Sequence, residues 1–135
     1  MASNSQNIIS VSLDGESLGI WDTRAGGEST AAVTKYRPGG SVDPVVDAGR
    51  PDVGDVTCTR RRIEERDNDT VRKMRQKIGR GVITITEQPT DIDGVAFGKA
   101  TTWMGRLASV SGGDADSNSD DTRMITFTAT CWKVA

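Results

Sequence analysis

The feature that most constrains this chain is a strict alternation near its end, where Ile125, Phe127, Ala129 and Cys131 interleave with Thr126, Thr128 and Thr130. Successive side chains of a strand point to opposite faces, so this period of two specifies a β-strand with one apolar face and one hydroxyl-bearing face. The period recurs at Ile9, Val11 and Leu13 against Ser10 and Ser12. Asp14-Gly15 follows as a strong hairpin signal, and a returning strand runs from Ser17 to Asp22. Thr30 to Arg37, Val56 to Arg62, Val82 to Glu87, Thr101 to Ser111 and Arg123 to Trp132 complete a set of about seven short strands.

One segment follows the helical period instead. Val71, Met74 and Ile78 stand at that spacing behind Asp67-Asn68-Asp69, which offers N-caps. The spacing predicts a helix from about Asn68 to Ile78, closed by Gly79 or Gly81. Glu64, Glu65, Asp67 and Asp69 lie at its positive end, and Arg75, Lys77 and Arg80 near its negative end. Its apolar stripe is narrow, as for a helix lying on the outside of a sheet. Between Ser41 and Asp55, by contrast, Pro44, Gly49, Pro51, Gly54 and four aspartates resist both helix and regular strand, which predicts a long loop or arm. Val42, Val45, Val46 and Val53 give that arm something to bury, favouring docking on a neighbour over a mobile loop.

These elements predict a mostly β chain: a single-domain β-barrel or sandwich of about seven strands with one α-helix packed outside. A length of 135 residues suits one domain spanning 1–135, with residues 1–7 as a flexible N-terminus. Hydrophobic residues make up 35% and aromatics 4%. The core must therefore come from Val, Ile, Leu and Ala with Trp21, Trp103, Trp132, Phe97 and Phe127, and so thin a core would gain from burial against partner chains.

The chain has no His. That removes the usual general base near neutral pH, the Ser-His-Asp triad and most zinc hydrolases, so no enzymatic activity and no catalytic residue is expected. Gly94 to Thr101 superficially resembles a phosphate loop, but three residues rather than four separate Gly94 from Gly98, and Ala100 follows Lys99. Asp114, Asp116, Asn118 and Asp120 alternate like a calcium loop, yet Ser119 holds the turn position and Ile125 the closing position. Asn68-Asp69-Thr70 matches a glycosylation acceptor, for which helix capping is the better explanation. No cofactor or metal is expected. Cys58 and Cys131 lie on apolar faces of strands and are expected as buried reduced thiols, with a disulfide as the alternative. The polar start, Met1 to Asn7, lacks a secretory pattern, and no stretch approaches the ~20 apolar residues of a membrane span, so assembly in the cytoplasm without membrane insertion is expected.

The 17 basic and 19 acidic side chains sum to −2, but they are unevenly placed. Nine basic and four acidic residues lie between Arg60 and Arg80, a local charge of +5 against −7 for the remainder. No aromatic side chain interleaves for base stacking, so the segment is read as a basic surface for protein contact in preference to a phosphate grip. Its candidate residues are Arg61, Arg62, Arg66, Arg72, Lys73, Arg75 and Lys77.

The order of elements carries a resemblance. Asp14-Gly15, Gly19-Ile20-Trp21, Gly26, Thr34-Lys35-Tyr36-Arg37-Pro38-Gly39-Gly40 and Gly54 before Val56-Thr57-Cys58-Thr59-Arg60 precede a helix, and this series resembles the tail-tube proteins of tailed phages and related injection systems. The likeness spans roughly Ile8 to Ile78, with Tyr36-Arg37-Pro38-Gly39-Gly40 as its most specific part. It implies a structural virion subunit: six copies per ring, strands joined into one inner barrel, and rings stacked into a hollow tail tube that conducts DNA or effectors. By the same resemblance the arm would reach a neighbouring subunit or ring. The interface would then comprise Tyr36, Arg37, Gly39, Gly40, Val42, Val45, Val46 and Val53. The helix would face outward with the basic surface. The implied partners are the chain itself and sheath, tape-measure, baseplate and terminator proteins, with DNA passing through the lumen without specific binding. Within such a tube a polar, net acidic lumen is expected. Two other readings are a small nucleic-acid-binding protein using residues 60–80 and a tail-completion or baseplate ring subunit of the same fold.

Overall fold

The hairpin expected at Asp14-Gly15 is formed, with both residues at positive φ, 51° and 86°, the backbone that matches the twist of two flanking strands. It joins β1 (Asn7–Leu13) to β2 (Glu16–Trp21). The chain continues through β3 (Thr23–Gly26), β4 (Ser29–Tyr36), β5 (Val45–Val53), β6 (Val56–Arg61), α1 (Glu64–Gln76), β7 (Val82–Pro89), β8 (Thr101–Ser111) and β9 (Met124–Val134). This computed structural model describes residues 7–40, 42–91, 93–96, 98–118 and 121–135. Residues 1–6 of the expected flexible N-terminus, Ser41 of the arm, Phe97 of the expected core, and Ser119 and Asp120 of the polar loop lie outside the described residues.

Seven strands form one antiparallel sheet in the order β2-β1-β7-β8-β9-β6-β3, and β4 and β5 form a separate ribbon. The outermost strands of the large sheet, β2 and β3, are consecutive in the chain with only Asp22 between them. The sheet therefore curls until its two ends meet at that residue, where the Asp22 amide donates to the Thr59 carbonyl (3.1 Å) and the Asp22 carboxylate accepts from the Arg61 amide (3.1 Å). Among the described residues no ladder joins β2 to β3. The mostly β class and the single helix agree with expectation, while closure into a barrel is not part of the ladder.

Inside the curl lie Ile9, Val11, Leu13, Leu18, Trp21, Val56, Cys58, Ile83, Ile85, Trp103, Leu107, Ile125, Phe127, Ala129 and Cys131, sealed by Val71 and Met74 of α1. Trp21 meets Phe127 edge-to-face at 4.8 Å between centroids, a favoured aromatic geometry. The alternation in β1 and β9 maps residue for residue onto this inner face.

Trp132, expected in the core, is instead 52% exposed, because it falls on the outward face of β9. Two further expectations need correction. The helix begins at Glu64 rather than near Asn68, and its N-cap is Ile63, with no side-chain cap bond. Asp67 is drawn away from capping because it is wholly buried against an arginine, Arg60, itself only 2% exposed. Arg60 Nη2 donates to Asp67 Oδ1 at 2.6 Å, Asp67 Oδ2 accepts the Ile63 amide at 2.8 Å, and Arg60 Nη1 reaches back to the Leu18 carbonyl at 2.6 Å. The guanidinium also lies 4.4 Å from the centroid of the Trp21 ring. The second correction concerns the arm, in which Val45–Val53 forms strand β5 opposite β4 despite Gly49 and Pro51. A two-stranded ribbon is all edge, so a residue without an amide hydrogen is tolerated there as it would not be mid-sheet. A register shift between Ala31 and Val33 absorbs the irregularity.

Removing one member of a buried ion pair strands the other, at a cost of about 3–5 kcal/mol. Asp67→Ala is expected to lower unfolding free energy by that order, while Arg60→Met with Asp67→Leu costs less than Asp67→Ala alone, as measured by urea denaturation. Burial is the largest influence on Asp67 and opposes its ionisation, but hydrogen bonds from Arg66 and the Ile63 amide and the charge of Arg60 together hold its pKa below the usual value. A lowered folded-state pKa means that the stabilisation is complete above the unfolded value of about 3.9 and is lost as pH falls through the folded value. The pH dependence of stability below that point should flatten in Asp67→Asn.

Candidate assembly surfaces

Three surfaces remain once the core is closed. The first is the β4–β5 ribbon, whose base is held where the Gly27 amide donates to the Asp55 carbonyl (3.0 Å) and the Gly54 amide to the Glu28 carbonyl (2.8 Å). Trp103 Nε1 donates to the Gly27 carbonyl at 3.1 Å. A Cβ on Gly27 would lie 2.6 Å from that nitrogen and 2.9 Å from Val56, so the root of the ribbon requires glycine. Beyond the root, every residue of β4 and all of β5 except Val53 are exposed.

The ribbon gathers most of the expected interface residues. Tyr36 stands opposite Val45 on one face, and Lys35 opposite Val46 on the other, with Val33 opposite Ala48 on that second face. Both faces therefore carry apolar side chains. Arg37 folds over the connecting turn, donating from Nη1 to the Val42 carbonyl at 2.7 Å, and Val42 is 84% exposed. Gly40 has φ of 78°, a conformation that favours glycine. Gly39 is in open space. Val53 differs from the others, because it packs partly buried against the core at the ribbon's root.

The second surface is the outward face of the large sheet. Thr57 and Thr128 stand opposite each other, as do Thr59 and Thr126, with 3.2 Å between the hydroxyl oxygens of each pair. Ser10 and Ser12 of β1 face Thr86 and Thr84 of β7, and Thr86 faces Thr102 of β8. None of these positions carries a carboxylate. The alternation in β9 had already marked one such row of threonines, but only the register joins the rows into a sheet of hydroxyls.

The third surface is the exposed side of α1, where the basic residues separate into two groups. Lys73 pairs with Glu16 (2.6 Å), Lys77 with Asp14 (3.4 Å) and Arg66 with Asp67 (3.0 Å). Each is offset within the chain, and hydrogen bonding to Glu16 raises the Lys73 pKa. Arg72 and Arg75 have no carboxylate partner among the described residues, nor has Arg61, which lies on the outward face of β6 with Thr57 and Thr59 rather than on α1. Arg62 lies against Glu64 at 2.9 Å and donates to the Gly112 carbonyl at 2.8 Å. Arg123, which the sequence pattern placed only at the start of a strand, joins this group through Glu64 at 3.3 Å. Nothing in its local sequence signals that, because the contact spans two distant segments.

Neither cysteine forms a disulfide, and both are buried, with the Cys131 thiol donating to the Ala129 carbonyl at 3.8 Å. Burial pushes the Cys58 thiol up to about 12 and raises Cys131 as well. Among the described residues no cluster of His, Cys, Asp or Glu could hold a metal ion, and no helix is long and apolar enough to cross a membrane.

No family model and no curated protein matches the sequence. Solved structures do. The whole chain aligns with 95% of a chain in the sheath/tube terminator of the extracellular contractile injection system PVC, extended state, at TM-score 0.73 and 17% identity. It aligns equally completely with 94% of a chain in the six-fold symmetrised baseplate of the anti-feeding prophage (TM-score 0.72, 15% identity). A third match covers 89% of a chain in the tube-terminating cap of the same prophage (TM-score 0.71, 14% identity). The fold is thus one found in phage-tail-like contractile particles.

With its pKa near 12, Cys58 is protonated at neutral pH and shielded by strands on both sides, so thiolate-directed reagents require prior unfolding. Its labelling rate in native buffer is expected to rise in step with denaturant-induced unfolding; rapid labelling of Cys58 in the folded protein would contradict the buried position.

Proposed function

We propose that this chain is a non-enzymatic structural subunit of a phage-tail-like particle, assembling as six-membered rings that stack into a hollow tube for DNA or effectors. The observation that carries the reading is the β4–β5 ribbon. It is exposed on both faces, bears Val33, Tyr36, Val45 and Val46, and pairs only within itself. Exposed strand borders are an aggregation hazard unless something covers them, and identical neighbours do so in a closed ring. The full-length likeness of fold to chains from tube-bearing particles supports the same reading.

In this assembly the ribbon reaches an adjacent subunit or ring, α1 faces outward, and the hydroxyl-bearing sheet face lines the bore. In place of the acidic lumen expected from the sequence, this reading gives a wall of hydroxyls from Ser10, Ser12, Thr57, Thr59, Thr84, Thr86, Thr126 and Thr128, with the exposed Arg61 and Arg106 on the same sheet face. The hydroxyls keep most of that wall wetted without charge. The partners are further copies of the chain together with sheath, tape-measure, baseplate and terminator proteins. Assembly takes place in the host cytoplasm and the product resides in the tail.

A second reading, a terminal or baseplate ring of the same fold, is favoured by the terminator, cap and baseplate origins of the similar chains. Negative-stain microscopy separates the two, because a tube subunit gives long stacked tubes and a terminal subunit gives single or paired rings. Val45→Asp with Val46→Asp places a charge on each face of the ribbon and is expected to abolish stacking, with thermal stability of the monomer unchanged within a few degrees. Tubes of normal length from that variant would remove the ribbon from the assembly contact.

A further inference from the structure

Arg62, Arg72, Arg75 and Arg123 line a cleft of about 390 Å³ beside α1, with Val71 in its wall. Among the described residues, the ion pairs of this group run to Glu64, which bridges Arg62 and Arg123. Four guanidinium groups against one carboxylate leave the cleft with an excess of three positive charges. Arg72 and Arg75 stand about one helical turn apart on α1, and both are exposed.

We propose that this cleft is a docking site for an acidic segment of another protein, recognised through its carboxylate side chains. Planar guanidinium groups match carboxylates in bidentate geometry. Nucleic acid fits less well. No aromatic residue lines the cleft for base stacking, and the adjoining depression, which shares Arg123, is bordered by Asp114, Asp116 and Asp121. Duplex DNA carries one negative charge per ~1.7 Å of axis, so a backbone laid across Arg123 meets those carboxylates, whereas a short acidic segment needs to reach only Arg62, Arg72 and Arg75. The site belongs to the isolated chain and does not require rings or tubes.

The test uses the full-length protein and a fluorescein-labelled peptide of alternating Glu and Gly, followed by anisotropy at low salt, with a labelled DNA duplex measured in parallel. Wild-type protein is expected to bind the peptide more tightly than the duplex. Arg72→Glu with Arg75→Glu is expected to weaken peptide binding by about tenfold or more. Arg50→Glu with Lys99→Glu makes the same charge change away from the cleft and is expected to alter binding by less than about twofold. Arg72→Gln with Arg75→Gln keeps good helix formers and gives the same reading should the charge reversal impair folding. Equal weakening by the cleft and control variants, tighter binding of the duplex, or no binding of the peptide to wild type would each overturn the proposal. Tube formation, scored separately by microscopy, bears on the ribbon and leaves this outcome independent.

Discussion

Arg60 ties together the three parts of the fold that local sequence cannot join. It extends from β6, bonds the Leu18 and Ile20 carbonyls of the outermost strand β2, covers the ring of Trp21, and pairs with Asp67 inside the first turns of α1. Burying a charge is costly unless it is paired and hydrogen-bonded. Here the cost is met at both ends: Asp67 also accepts from the Ile63 amide and from Arg66. Gly19 belongs to the same arrangement, since it adopts φ of 84° and a Cβ there would lie 3.2 Å from Arg60 Nη1. The helix start, the irregular course of β2 and the meeting of the sheet's ends thus depend on one guanidinium.

With that interior settled, the chain divides its apolar residues between a core and a ribbon that buries almost nothing. The core of the curled sheet contains Trp21, Trp103 and Phe127, while Tyr36 and the valines of β4 and β5 stay outside it. Monomeric proteins seldom expose so much apolar surface on one projecting element. The division makes sense for a subunit whose own fold is complete and whose projecting element is completed by neighbours. The charges are divided too: Lys73, Lys77 and Arg66 are matched within the chain, Arg62 and Arg123 share Glu64, and Arg72 and Arg75 have no carboxylate partner among the described residues.

The strands with one buried face were legible in the amino-acid order. Ile9, Val11 and Leu13, and Ile125, Phe127, Ala129 and Cys131, fall on the core as their period requires, and Asp14-Gly15 makes its turn. The helix was legible in kind but misplaced, because Asp67 looked like a cap and is instead held by Arg60. The ribbon strand β5 was not legible, since Gly49 and Pro51 disfavour a strand only where both neighbours must be paired. Of the basic run, sequence could count charges but could not tell which ones carboxylates elsewhere in the chain would offset.

What the sequence determined alone was therefore periodic and local: which residues alternate, where a turn must fall, which segment is helical, and that no histidine chemistry operates. The tertiary structure decided which arginine is interior, which strands lie at the sheet's ends, how the threonine rows join into one hydroxyl surface, and that Arg123 stands with Arg62 beside α1. The reason is range. Steric alternation is set by adjacent residues, whereas a charge or a hydroxyl acquires its role from partners tens of residues away, and only the folded chain brings those partners together.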